Sequence, residues 1–498
     1  MRARILLISL CLLAPQASAQ IVMKCAGDGG AVPGNSTLQL QGTPNTPFLL
    51  LFSQSERVHT PLPGLTLAID LGFLGFCLGN PLFVGMFDSA GKASTTIPVP
   101  SISGLYGARM SMQSLEVNPI GNASNLVRLT LQQPDTFIDS LSSSVAPILT
   151  GRAFVQSNGK VLLLGGTGPV VQEYDPALEK FRIVGIVPSA NIIATQTMLK
   201  DGTVLVTGGI GLTGQPVKGA FLFDPSNGTA TVLAGMGTAR AGHAAALMKD
   251  GRVLIVGGAS SLDFSDLVKF LAGIRNSSEF YDPKTKTFTA GPALLEAKMF
   301  HTATTLSNGE VLVAGGLSIV PVLNIPIVSP TAQAYTPLLN LFGFPRLMAP
   351  RMLHSATALA NGKALIAGGL TIDFIKFLQT QNIADLTLGS VADVVTYSGG
   401  LFGGFSKSYP LSKGRMLPSV APLGSKGALI AGGFLLDLSA NTFQFQALKE
   451  ADVFTGSSIS AAGSMKNARI GGVAVTLPDG TVLVTGGGSL AGEIYQPK

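Results

Sequence analysis

Four histidines, five recurrent cations and three cysteines are the residues of this chain whose types and spacing bear on chemistry. His243, His301 and His354 each stand seven residues before a turn residue, Asp250, Asn308 and Asn361. Three histidines at one repeated position belong to three successive units, whereas a metal needs its ligands within about 2–2.6 Å. That spacing predicts structural histidines and no metal site; His59 stands alone far upstream. Three residues before the histidine position come Arg240, Lys298 and Arg351, with Arg415 and Arg469 in the matching places further on. One chemistry open to them is an array of charge at one end of a repeated structure, a candidate ligand-binding site for an anionic sugar, carboxylate or peptide. The other is repeated ion pairing with acids that recur in step, Glu173, Glu279, Asp393, Asp452 and Glu493. Since both sets follow the repeat, ion pairing is favoured. No nucleophile–base pair, metal cluster or cofactor loop stands out, so no catalytic residue and no cofactor is assigned.

These residues must be positioned by the repeat itself. An apolar run ending in Gly-Gly occurs seven times: Val161–Gly166, Val204–Gly209, Val253–Gly258, Val311–Gly316, Ala364–Gly369, Ala428–Gly433 and Val482–Gly487. Each run is apolar throughout, as in a strand buried on both faces. Asn-Gly or Asp-Gly precedes six of the seven, a pair that tolerates the positive φ of a two-residue hairpin turn. The sixth uses Lys426-Gly427. After each Gly-Gly a third element ends in an aromatic: Tyr174, Phe223, Tyr281, Tyr335, Tyr397, Phe454 and Tyr495. A fourth strand follows in most units, as at Lys286–Thr289. Four strands in roughly fifty residues, repeated, predict the blades of a β-propeller.

The unit from Arg351 through His354-Ser355-Ala356-Thr357-Ala358-Leu359 to Asn361-Gly362-Lys363-Ala364-Leu365-Ile366-Ala367-Gly368-Gly369 resembles a kelch repeat of the bacterial secreted type. So does Asp250 to Gly258 with Glu279-Phe280-Tyr281-Asp282-Pro283. The resemblance covers about 365 residues and implies an all-β, seven-bladed propeller. Kelch repeats often carry a Trp in the fourth strand; this chain has none, and Phe288 is expected to take that packing role. The last unit stops after its third strand, so Asp135-Thr136-Phe137-Ile138-Asp139 is expected to supply the fourth and close the ring. Some propellers of this kind are copper-radical galactose oxidases, which need a Tyr cross-linked to Cys. The chain has no Cys beyond Cys77, which argues against that chemistry. No run of sialidase-type Asp-boxes is present either.

Upstream of the propeller (132–498), residues 20–131 lack the repeat and read as a small β-sandwich, resembling an accessory domain of exported planctomycete-type proteins. Residues 1–19 carry Arg2 and Arg4, an apolar run from Ile5 to Ala14, and Ala17-Ser18-Ala19, the pattern of a cleaved secretory signal peptide. Its removal lowers the formal charge from +6 to +4, leaving no dense basic patch for nucleic acid. In an oxidising compartment Cys25 and Cys77 are expected to form a disulfide. No later stretch is apolar enough to span a membrane.

Insertions are the second functional signal. The connection from Gly-Gly to the aromatic is long in units three to six. In unit three, Phe264, Leu267, Val268, Leu271 and Ile274 fall at helical spacing; Phe374, Ile375, Leu378 and Ile383 in unit five nearly do. Such inserts map to one face, often the binding face, and make Phe264 and Phe374 candidate ligand-binding residues. The alternative is that they pack on one another as a cap. The function expected is a secreted, non-enzymatic binding or surface-interaction protein engaging an extracellular protein or polysaccharide. The rival is a carbohydrate-active enzyme holding an acidic sugar through Arg351 and Arg415.

Overall fold

The computed structural model describes residues 22–498 except 28–33, 54–58, 63–64, 68–82, 100–107, 118–119, 125–126, 167, 190, 264–266, 321–324, 381, 383–384, 401–402 and 440–441. The signal-like segment, Cys77 and Phe264 lie outside the described residues, as does the side chain of Cys25.

The seven buried apolar runs become seven strands, each the second member of an antiparallel sheet. We label the strands of each unit a to d. In unit one they are Arg152–Val155, Val161–Leu164, Val170–Asp175 and Lys180–Ile186, hydrogen-bonded in that order. Units two to six repeat the order, with strands a at Thr195–Met198, Ala244–Leu247, Thr302–Thr305, Ser355–Ala358 and Ser419–Pro422. The seventh sheet takes strands a to c from Val473–Thr476, Val482–Gly486 and Ser489–Gln496, and its fourth from Thr136–Ser143. There Phe137 stands opposite Tyr495, so the two ends of a span of some 360 residues share one sheet.

Strand b is buried along four successive residues in all seven units, because sheets flank it on both faces. The aromatic of strand c is buried in every unit. In five units it stacks on an aromatic of strand d directly across the ladder: Tyr174 on Phe181, Tyr281 on Phe288, Tyr335 on Phe342, Tyr397 on Phe405 and Tyr495 on Phe137, with centroids 4.7–5.5 Å apart. Tilted rings at this separation add about 0.5–1.5 kcal/mol each beyond the area they bury.

Gly-Gly is where neighbouring units meet. Both glycines have positive φ in every unit. A Cβ on the first one of unit three, Gly257, would lie 2.5 Å from the Lys298 carbonyl and from His301 of unit four. The second donates its N–H to the next unit: Gly209 to Arg240 O, Gly258 to Lys298 O, Gly316 to Arg351 O, Gly369 to Arg415 O and Gly433 to Arg469 O, at 2.7–2.9 Å. Gly487 of unit seven donates to Ile148 O, at the entry to unit one, at 2.7 Å.

The described residues ahead of Thr136 form two larger sheets and the short pair His59–Leu62/Leu65–Leu67. One joins Val22–Gly27, Gly34–Gln41 and Lys92–Val99; the other is built on Pro47–Ser53 and Arg109–Val117. Leu38 and Leu40 of the first share a core with Leu49, Leu51 and Met112 of the second. Leu178 of unit one packs against that core, and Arg109 pairs with Glu179 at 3.0 Å.

The inserts of units three to six form a continuous apolar layer. They comprise helices α1 (Leu267–Ala272) and α2 (Ile375–Thr380) and hairpins Leu317–Val320/Ile325–Val328, Leu370–Asp373/Thr387–Ser390 and Phe434–Ser439/Thr442–Ala447. Leu262, Leu271, Leu317, Val328, Leu370 and Phe434 are buried together over Met299, Met352 and Met416. Phe374 is half-buried against this layer, so most of its ring serves packing.

Candidate functional site

Strand a of six units, with Gly242 and His243 just ahead of strand a in unit three, lines one cavity of about 610 Å³. Neighbouring a strands pack side by side along units two to seven and unit seven's lies against unit one's, so the cavity runs as a channel between strands a.

At the mouth beneath the inserts, the residue two places before strand a has a left-handed backbone in all seven units. These are Thr150, Ile193, Gly242, Phe300, Leu353, Leu417 and Gly471, with φ between 44° and 62°. For the five that carry a Cβ this costs about 1–2 kcal/mol each. Part is offset by a belt of backbone bonds linking successive units: Phe300 N–H to Gly242 O, Leu353 N–H to Phe300 O, Leu417 N–H to Leu353 O, and Thr150 N–H to Gly471 O, at 2.8–3.2 Å. Sequence reasoning missed this ring; its signal is Gly at two of the seven equivalent places, Gly242 and Gly471.

One residue further in, His243, His301 and His354 line the channel from three successive units. Their rings are buried, and Nε2 reaches Thr195 Oγ1 at 3.0 Å, Val256 O at 3.2 Å and Thr302 Oγ1 at 2.9 Å respectively. Burial, reinforced by the neighbouring cations, pulls His243 and His301 down to about 3 and His354 well below its ordinary range. All three are neutral imidazoles at pH 7. Among the described residues no three His, Cys, Asp or Glu side chains are grouped to hold a metal.

The five recurrent cations are 0% exposed. Arg240 pairs with Glu279 at 3.1 Å, Arg351 with Asp393 at 2.8 Å, Arg415 with Asp452 at 2.7 Å and Arg469 with Glu493 at 2.8 Å. In unit four Gln333 holds the acid's place on strand c, and Lys298 turns to Glu296 at 3.1 Å. Each arginine also donates Nη1 to the carbonyl of the first glycine of its own Gly-Gly, at 2.8–3.4 Å. Arg240 uses all of its donors: Nε and Nη2 go to Glu279, Nη1 to Gly257 O and Ser277 O, and Nη2 to Ser277 Oγ. These cations are sealed supports of the strand a entry, with no face turned to a ligand, and Arg351 and Arg415 do not point into the channel. Burial lowers the pKa of Arg240, Arg415 and Arg469 while the paired carboxylates hold them charged. In unit one Ile148 stands in the cation's place, and Glu173 pairs with Lys160 and Arg182 instead.

No protein-family model and no curated protein matches the chain. Solved structures do. YjhT aligns with 15% identity over 65% of this chain and 100% of its own, at a TM-score of 0.50. A fungal alcohol oxidase of the AA5 family, in complex with copper, aligns with 16% identity over 72% of this chain and 75% of its own, at 0.51. The likeness is one of fold, and an all-strand chain of small antiparallel sheets fits a β-propeller.

Proposed function

We propose that the chain is a secreted binding protein built on a closed, seven-bladed kelch-type propeller whose insert-bearing end is its recognition face. The seven sheets, the Gly-Gly bonds from each unit to the next and the sharing of the last sheet between distant segments support the ring. The Arg-x-x-His, Asn-Gly and Gly-Gly spacing supports the kelch assignment. One observation carries the functional reading: units three to six raise a shared apolar layer at one end, yet Val268, Ile375 and Phe445 on it are 69%, 65% and 64% exposed. Apolar side chains, two aliphatic and one aromatic, displayed over a packed layer suit a protein partner, whose interface core is apolar. A polysaccharide would ask for several flat aromatic faces with open polar groups beside them, where this layer displays the single ring of Phe445 among these three.

The test places a photo-crosslinking residue at 268, 375 or 445, and for control at 361 in a turn at the opposite end. Each purified chain is then mixed with the extracellular fraction of its own host. Adducts at the three layer positions, absent at 361 and abolished by Val268→Asp with Ile375→Asp and Phe445→Asp at unchanged melting temperature, are expected. Equal labelling at 361, or adducts that survive the triple substitution, would remove this face from the account. Glycan-array binding lost in the same variant would assign it to a polysaccharide.

A further inference from the structure

Arg152, the first residue of strand a in unit one, is the one charged side chain among the described residues lining the channel; the other polar ones are hydroxyls, Gln196 and the three neutral histidines. The same place in other units carries Thr195, Ala244, Thr302, Ser355, Ser419 and Val473. Unlike the five sealed cations, Arg152 is exposed to the channel and has no ion pair or side-chain hydrogen bond. The cavity walls stand around it, and the desolvation they impose lowers its pKa with no carboxylate to offset the effect. An unpaired guanidinium in such a place is unfavourable on its own, and a bound anion removes that cost.

The rest of the channel says what the anion is attached to. Its hydroxyls are largely committed to the protein: Thr195 to Thr207 and His243, Thr302 to His354, Ser355 to the Pro418 carbonyl and Thr476 to the Pro422 carbonyl. The mouth near Arg152 is lined by Ile193, Phe300, Leu353 and Leu417, half-buried side chains continuous with the apolar layer. That layer's helices and hairpins come from units three to six, so those described elements leave unit one uncovered. A cavity of about 610 Å³ with one charged anchor, walls that mix hydroxyls with small apolar groups, and an apolar mouth has the dimensions of a small-molecule site.

We propose that the channel binds a small organic carboxylate with an apolar body, its carboxylate in the fork of Arg152 and its body against the Ile193–Leu417 rim. Guanidinium and carboxylate match as a planar two-bond pair, and the low-dielectric surroundings strengthen it. This site is separate from the proposed recognition face and stands or falls without it.

Calorimetric titration of the full chain with octanoate tests it, with octanol, acetate and sulfate as comparison probes. Octanoate is expected to bind once per chain, at least tenfold more tightly than acetate, sulfate or octanol. Arg152→Gln should weaken octanoate at least tenfold and Arg152→Lys less. Because Arg152 touches no other side chain through a polar contact, both variants should melt as the parent does. Octanol matching octanoate, an unaffected Gln variant, or no octanoate binding at millimolar concentration would overturn the site. Sulfate or acetate matching octanoate would overturn the apolar body and leave an anion site alone.

Discussion

Neutral imidazoles beside buried cations make acid the stress to which single residues of this chain are most sensitive. Burial first, and the charges of Arg240, Lys298 and Arg351 second, hold His243 and His301 at about 3 in the folded chain, against an ordinary 6.5. The neutral form is therefore the one the fold favours. Stability is complete above about pH 6.5 and is lost as pH falls from there toward about 3, since the unfolded chain binds the extra protons. Each ring contributes a slope of at most about 1.4 kcal/mol per pH unit. Melting temperatures between pH 7.5 and 4.5 should fall steeply in the parent and less in a His243→Gln, His301→Gln double variant; parallel curves would remove the histidines from the account. The recurrence of His at one place was legible in the sequence, as was its coupling to a cation three residues earlier. Whether those cations were sealed or offered was not, because that depends on Glu279, Asp393, Asp452 and Glu493 arriving from strand c, and in unit four on Glu296 replacing Gln333.

Gly-Gly at the end of strand b does two jobs that the sequence shows as one motif. Its positive φ turns the chain out of the sheet, and its missing side chains admit the entry of the next unit's strand a. The two can be separated. Gly202 has φ +86° with nothing near an added Cβ, whereas Gly257 has φ +65° and an added Cβ would meet the Lys298 carbonyl and His301 at 2.5 Å. Gly202→Ala should cost about 1–2 kcal/mol, the left-handed penalty alone. Gly257→Ala should cost at least about 2 kcal/mol more, because backbone of the next unit must move. Denaturant titration of the two variants reads the difference, and equal losses would mean that the inter-unit approach is not tight. Strand b, its turn and the buried aromatic of strand c were readable from apolar runs and turn pairs. The left-handed ring at Thr150, Ile193, Phe300, Leu353 and Leu417 was not. Those residues carry no turn chemistry of their own, and at Thr150, Phe300, Leu353 and Leu417 successive units bond to one another through that backbone.

At the scale of the whole molecule, Thr136–Ser143 and Ser489–Gln496 lie side by side although some 350 residues separate them. Phe137 packs on Tyr495, the Tyr495 hydroxyl donates to Asp135 at 2.7 Å, and Lys498 pairs with Asp135. A chain begun at residue 144 would leave Ser489–Gln496 as an unpaired edge, open to other copies. It should melt lower and more broadly than one begun at 132, and should elute from size exclusion as oligomers. Identical melting and a monomeric profile for both would deny the shared sheet its closing role. The sequence by itself determined the units, their count, their buried strands and the recurrence of cations and acids in step, because those follow from local periodicity and repeat spacing. Only the tertiary structure decided what faces the channel. Arg152 and the sealed arginines are alike in type, and burial beside a carboxylate separates them: Arg240 and its equivalents meet an acid from strand c, while Arg152, one residue into strand a where other units carry small or neutral side chains, meets none.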